Sequence, residues 1–304
     1  MHFSRYCAVL VLLATLPLGG CLFHTRKVEQ IDLASLKVAT KPDLVGYINS
    51  EAAKVQSLRA TVDIDTSVGG AKKGQVTEYQ QIRGFVLARK PEMLRMIGLL
   101  PIVRNTAFDM VSDGHDFKLW IPSKNRFVVG RNDVASPNPA QPLENLRPQI
   151  IYEALLLHEI GPGETAILEN GTETVTDEKG RPLDQPDYVI DVIRTREDDS
   201  WLSRKIIFSR LDLRPNRQLI YDEAENIVTD ARYTEYKDYD GLSFPSKIEI
   251  KRPQEEYDIT LTILKPGLNQ TLTDEKFVLE QPSGAQVIHL DGSQPATTNG
   301  GGAH

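Results

Sequence analysis

Apolar and polar residues follow two rhythms along this chain. Over 42–55 the rhythm is helical: Leu44, Tyr47, Ile48, Ala52 and Val55 recur on one face, with Pro42 near the start. From Leu58 the period drops to two. Leu58, Ala60, Val62 and Ile64 alternate with Arg59, Thr61, Asp63 and Asp65, the pattern of a strand with one buried side. Looser alternation over 79–89, 93–99, 106–112, 117–121 and 126–130 predicts further strands, and Asp113-Gly114 reads as a hairpin turn. A second helix is predicted over 143–158. There Leu146, Ile150, Ala154 and Leu157 form a stripe, Ile151 and Leu155 widen it, and Pro148 falls within the first turns. Strand patterns resume at 165–169, 187–195, 203–213, 217–222, 227–236, 242–252 and 257–264, with Asn170-Gly171 and Asp240-Gly241 as turns. The fold class is α+β, mainly antiparallel β: about 11–12 strands in a curved sheet around apolar material, with one leading and one central helix. No Pro- or Gly-rich linker divides the strands, so one domain is expected over 41–290.

The first twenty residues stand outside this pattern. Arg5 precedes an apolar run over 6–18, and Gly19 and Gly20 lead to Cys21. A membrane span needs about 20 apolar residues, and this run is shorter and interrupted by Pro17. It reads as a cleavable signal peptide, 1–20. Leu18-Gly19-Gly20-Cys21 resembles the lipobox of bacterial lipoproteins. That resemblance implies a thioether-linked diacylglycerol on Cys21, cleavage before it, and N-acylation with a fatty acid such as palmitate. Residue 22 is Leu and not Asp, which in the sorting scheme of Gram-negative lipoproteins implies the outer membrane, facing the periplasm. Residues 21–40 then form the lipidated cysteine and a polar tether, and the Gly-, Thr- and Asn-rich 291–304 a disordered tail.

Composition narrows the chemistry. Lys and Arg number 35 against 42 Asp and Glu. Loss of the signal removes Arg5 and no acid, moving the formal charge from -7 to -8. An acidic chain without basic clusters argues against nucleic acid. Cys7 leaves with the signal, so stability must come from the core and not from disulfides.

Several segments resemble the lipoprotein-localisation-factor superfamily, whose LolA/LolB-like fold is an incomplete β-barrel closed by helices. These are Ser57-Leu58-Arg59-Ala60, Ile82-Arg83-Gly84-Phe85-Val86-Leu87, Lys90-Pro91-Glu92-Met93-Leu94-Arg95, Gly98-Leu99-Leu100-Pro101 and Phe108-Asp109-Met110-Val111-Ser112-Asp113-Gly114. Arg232-Tyr233-Thr234-Glu235-Tyr236 and Asp240-Gly241-Leu242-Ser243-Phe244-Pro245 extend the likeness to uncharacterised lipoproteins of that fold. The resemblance implies a half-open barrel with the central apolar helix over its concave face, and acyl chains bound there. A polar insertion over 170–187 departs from it.

Catalytic signatures are missing from the sequence: Gly-x-Ser-x-Gly, His-Glu-x-x-His, the phosphate loop and Ser-x-x-Lys do not occur. His24, His115, His158, His289 and His304 are scattered without metal-ligand spacing, so no metal and no cofactor are expected. His158-Glu159 reads as a basic residue complementing a helix C-terminus, and Asp109, Asp113 and Asp116 as solvated acids about a turn. Met93, Met96, Phe108, Met110 and Trp120, with Ile150, Ile151, Ala154 and Leu155 of the apolar helix, are the candidates for an acyl-chain cavity. The same residues serve equally as a solid core. Leu99, Leu100 and Ile102 about Pro101 form either an exposed loop that enters lipid, as in receiving members of the family, or a buried strand end. The expectation is a non-enzymatic, membrane-anchored protein that binds lipid, acyl chains or lipoproteins in envelope biogenesis. Its rival is an envelope scaffold with a filled barrel that binds a protein partner.

Overall fold

A computed structural model describes residues 35–133, 147–176, 180 and 182–290. The signal, Cys21, the start of the tether and the tail lie outside these residues. Helix α1 (Lys41–Lys54) comes first, followed by β1 (Ser57–Gly70), β2 (Gln75–Glu78), β3 (Ile82–Arg89), β4 (Met93–Leu99), β5 (Thr106–Ser112), β6 (Asp116–Ile121) and β7 (Arg126–Arg131). Helix α2 (Pro148–Leu155) separates these from β8 (Glu164–Thr176), β9 (Pro182–Arg196), β10 (Asp199–Ser209), β11 (Pro215–Tyr221), β12 (Ile227–Tyr239), β13 (Leu242–Arg252), β14 (Tyr257–Leu268) and β15 (Gln286–His289). Contacts divide the chain into a large unit, Lys37–Gly171 with Asp187–His304, and a small one that holds Thr172–Pro186.

The strands join in one sheet in the order β15-β7-β6-β5-β4-β3-β1-β14-β13-β12-β11-β10-β9-β8, with β2 attached to β1 alone. Its terminal strands do not pair with each other, so the sheet is open. Neighbouring strands from β1 to β7 and from β9 to β14 pair antiparallel, and β15 lies parallel to β7. Turns follow the sequence where the chain reverses: Asp240 and Gly241 carry φ of 54° and 81° between β12 and β13, a backbone that suits Asp-Gly. Asn170-Gly171 is not a turn, contrary to expectation. It lies inside β8, which continues to Thr176, so most of the polar insertion is strand. Fifteen strands among the described residues exceed the expected dozen because β2 and β15, four residues each, lack any apolar alternation of note.

Helix α1 starts at a capping box in which Thr40 and Asp43 exchange hydrogen bonds, with Pro42 in the first turn. Its Leu44 and Ile48 pack with Tyr188, Ile190, Val192, Ile206 and Phe208 of β9 and β10. Helix α2 is shorter than the predicted 143–158. Proline fixes its start at Pro148 after extended Arg147, and Leu156 leaves the helical region at φ −121°. Residues 143–146 lie outside the described chain. Ile151 and Tyr152 are fully buried, and α2 packs against β4 and β5 on one side and β13 on the other. β4 and β13 lie four places apart in the sheet, about 19 Å if it were flat, so the sheet bends around the helix.

Candidate functional site

Strand register explains where the interior is solid and where it opens. One row across the sheet runs Ala60, Val86, Met96, Met110, Leu119 and Val128, each opposite the next on adjoining strands and each buried. The neighbouring row runs Val62, Gly84, Gly98 and Phe108. Two glycines side by side leave this row without side chains over β3 and β4. A Cβ on Gly98 would lie 2.4 Å from the Phe108 ring, and one on Gly84 2.7 Å from Ile64 Cδ1. Bare backbone there lets both side chains lean inward.

The space beside this row is a cavity of about 370 Å³, within the roughly 300–1,000 Å³ usual for ligand pockets. Ile64, Ile82, Met96, Phe108, Leu119, Ile121, Tyr257 and Ile259 give it an apolar wall, and Thr66, Tyr79, Gln80, Ser123 and Lys124 stand toward the solvent. Leu100 and Pro101 also line it. They begin the loop from β4 to β5, which is closed by hydrogen bonds from Leu100 N to Asn105 O (2.8 Å) and from Arg104 N to Leu100 O (3.1 Å). At its tip Ile102 is 99% and Val103 63% exposed. Ile102 and Arg104 hold φ of 68° and 54°, and a β-branched residue in that region is a strained one. Exposed aliphatic side chains thus edge the opening of an apolar cavity.

The structure sorts the predicted residues. Met96, Phe108 and Leu100 line the cavity, and Met110 is buried beside Met96. Trp120 lies on the opposite face, with Val111, Phe127 and Leu279. Met93 also falls on that face, three residues from Met96 in a strand whose buried positions alternate. Both corrections follow from the two-residue period. Ile150, Ile151, Ala154 and Leu155 belong to the solid core, not to the cavity wall. Ala154 and Leu155 touch only a separate cavity of about 40 Å³ near Tyr47, Tyr233 and Phe244. Ile102 is exposed, and Leu99 remains a half-buried strand residue. Cys21 lies outside the described residues. Ile64, Ile82, Leu119, Ile121, Tyr257 and Ile259 were not singled out from the sequence, although strand alternation marks each as inward-facing.

The acids resolve individually. Asp109 is not a solvated turn residue: Arg95 donates to it through Nε (3.0 Å) and Nη2 (2.7 Å). Asp113 Oδ1 accepts the amides of His115 (3.0 Å) and Asp116 (2.8 Å), an Asx turn that shapes the β5–β6 hairpin.

Beyond α2, a buried polar cluster surrounds His158. Arg204 donates to the carbonyls of His158 (3.1 Å) and Glu159 (3.2 Å) and to Glu164 Oε2 (2.9 Å). Burial, reinforced by Arg204 and Lys90, pulls His158 down to about 4. The ring is therefore neutral at physiological pH and does not complement the helix as a cation. Between pH 6.5 and about 4 the unfolded chain takes up a proton that folded His158 refuses, so this residue makes stability fall as pH falls. Glu153 opposes it: burial pushes it up to about 6, against hydrogen bonding from Gln149 and the charges of Arg204 and Arg252. Its contribution is fully present below the ordinary pKa of 4.5 and is lost as pH rises through 6. Relative to the parent, His158→Gln is expected to gain about 2 kcal/mol between pH 7 and pH 4.5. Urea unfolding at the two pH values measures it.

No protein-family model matches this chain, and no curated protein does. Solved structures similar to it include a LolA superfamily protein from Nitrosomonas europaea, at 14% identity and TM-score 0.47, covering 77% of this chain and 97% of that one. A DUF1329 family protein from Desulfovibrio piger is similar at 14% identity and TM-score 0.46, covering 78% and 95%. A domain described as an outer membrane lipoprotein-sorting protein, from Vibrio parahaemolyticus, is similar at 15% identity and TM-score 0.46, covering 77% and 94%. These likenesses assign neither a superfamily nor a ligand to this chain.

Proposed function

We infer that this chain is a non-enzymatic, membrane-anchored lipid-binding protein of the bacterial envelope, held through acylated Cys21, with its body toward the periplasm. The observation that carries the reading is the apolar cavity whose opening is edged by the exposed loop of Leu100, Ile102 and Val103. Each methylene moved from water into such a cavity contributes about 0.8 kcal/mol, enough for a single chain to be held reversibly. The loop offers aliphatic surface to a bilayer or to an acylated partner while the chain passes in or out. In the purified protein, a fluorescent fatty acyl probe is expected to bind at one per molecule, and Ile121→Trp, which fills the cavity from its half-buried edge, to weaken it tenfold or more. Absence of binding in the parent, or equal binding by the filled variant, defeats the reading.

A scaffold that binds a protein partner is the second reading. It is favoured by the solid packing of α2 within the sheet, which leaves most of the interior filled.

A further inference from the structure

Apart from the cavity beside Gly84 and Gly98, the smaller one of about 40 Å³ lies where α1, the end of α2 and strands β12 and β13 meet. Tyr47, Tyr233, Tyr236 and Phe244 line it together with one carboxylate, Glu51, and among the described residues no Lys, Arg or His does. Tyr47 and Glu51 stand one turn apart on α1 and so share a face. Tyr233 and Tyr236 lie on β12 with two residues between them, a spacing that places side chains on opposite faces of a regular strand. Glu235 breaks the alternation: it takes φ 54°, and its carbonyl accepts from Ser246 Oγ at 2.7 Å. Both rings thereby reach one cavity.

The wall offers acceptors and no positive charge. The Tyr236 hydroxyl donates to the Pro215 carbonyl at 2.8 Å. Tyr233 is 5% exposed, and its hydroxyl and that of Ser243, another lining residue, are buried without a hydrogen-bond partner. Burial, helped by the charge of Glu51, pushes Tyr47 up to about 12, and burial pushes Tyr233 up as well. Both phenols are therefore neutral at physiological pH, and Glu51 carries the one formal charge on the wall. Glu51 accepts from Lys54 at 2.9 Å, but that lysine is 52% exposed, and such a pair is weak. Arg214 already stands 5.3 Å from the Tyr236 ring centre, so this ring attracts a cation within the protein itself.

Size and chemistry together select the occupant. A water-sized group needs about 10–15 Å³ of such space, so 40 Å³ admits a small head and no acyl chain. An anion would meet Glu51, and an apolar molecule would leave two hydroxyls unpaired. A small cation with N–H donors answers the rings, the carboxylate and the hydroxyls at once. We propose that this cavity binds a small primary alkylammonium ion, its N–H groups on Glu51, Tyr233 and Ser243 and its charge among the aromatic rings. The site stands independently of the lipid-binding reading.

The test is titration of the purified full-length chain, its tyrosine rings isotope-labelled for NMR, with ethylammonium, tetramethylammonium, ethanol and acetate at constant ionic strength. The ring signals of Tyr233 and Tyr236 are expected to shift saturably with ethylammonium at about tenfold lower concentration than with ethanol. Glu51→Gln weakens ethylammonium about tenfold and leaves ethanol unchanged. Lys54→Ala, at an exposed position, strengthens ethylammonium about twofold by removing the competing cation. Ser243→Ala weakens ethylammonium but not tetramethylammonium, which has no N–H to donate. Ethanol binding as well as ethylammonium, or undiminished ethylammonium binding by Glu51→Gln, reduces the cavity to a site for water and overturns the proposal. Stronger binding of acetate, or no saturable shift with ethylammonium, overturns it too. Tetramethylammonium binding as tightly as ethylammonium overturns the hydrogen-bonded primary head. None of these outcomes bears on uptake of the acyl probe.

Discussion

Glu164→Gln is expected to lower the stability of this protein by about 3–5 kcal/mol, the usual consequence of leaving one partner of a buried ion pair alone. Glu164 and Arg204 side chains are both 8% exposed, and their atoms lie 2.9 Å apart. The other carboxylate oxygen accepts from Arg194 at 2.8 Å, a residue 54% exposed that adds little. Burial works to raise the Glu164 carboxyl, and Arg204, Arg194 and the Gly161 amide outweigh it, holding the group below the usual carboxylate range. The pair's contribution is therefore present above about pH 4.5 and fades as the carboxylate protonates at lower pH. Urea unfolding at pH 7.5 reads the loss. Replacing both residues, Glu164→Gln with Arg204→Met, is expected to recover much of it, because no charge is then stranded. A loss below 1 kcal/mol in the single variant means that water reaches the guanidinium.

Tyr152→Ala is expected to cost about 3–5 kcal/mol, the range for deleting a buried aromatic side chain. Tyr152 is fully buried in the middle of α2, stacks edge-on with His158 at 5.7 Å between ring centres, and donates its hydroxyl to the Pro91 carbonyl. Tyr152→Phe keeps the packing and removes only the hydrogen bond, so about 1 kcal/mol is expected. The same unfolding experiment separates the two contributions. Near-equal losses from both variants would mean that the hydroxyl, and not the ring, anchors the helix.

Local pattern was legible in this sequence, and pairing was not. Met93–Leu99, Thr106–Ser112 and Leu242–Arg252 form strands at the bounds their alternation suggests, because each has one face in the core. Gln75–Glu78 escaped notice because all four residues are exposed. Alternation says which residues share a face but not which strand lies alongside, so nothing in the sequence reveals that Gly84 stands opposite Gly98. The cavity depends on that meeting. Met96 and Phe108 were visible as large adaptable side chains, yet choosing residues by size alone brought in Met93 and Trp120 from the wrong face. Ile150, Ile151, Ala154 and Leu155 of α2, expected on the cavity wall, lie in the solid core instead, and that place follows from where the sheet bends, which is a property of the whole.

The seam between β1 and β14 carries a kinetic consequence. Leu58 is matched with Leu268 and Val68 with Tyr257, so one of the earliest strands stays half-bonded until nearly the whole domain has been synthesised. Such distant matching makes for slow folding and leaves a sticky, hydrogen-bond-hungry border in the growing polypeptide. A chain that cannot finish prematurely remains threadable. Late completion fits the proposed export, in which the chain would pass a membrane extended before it takes shape.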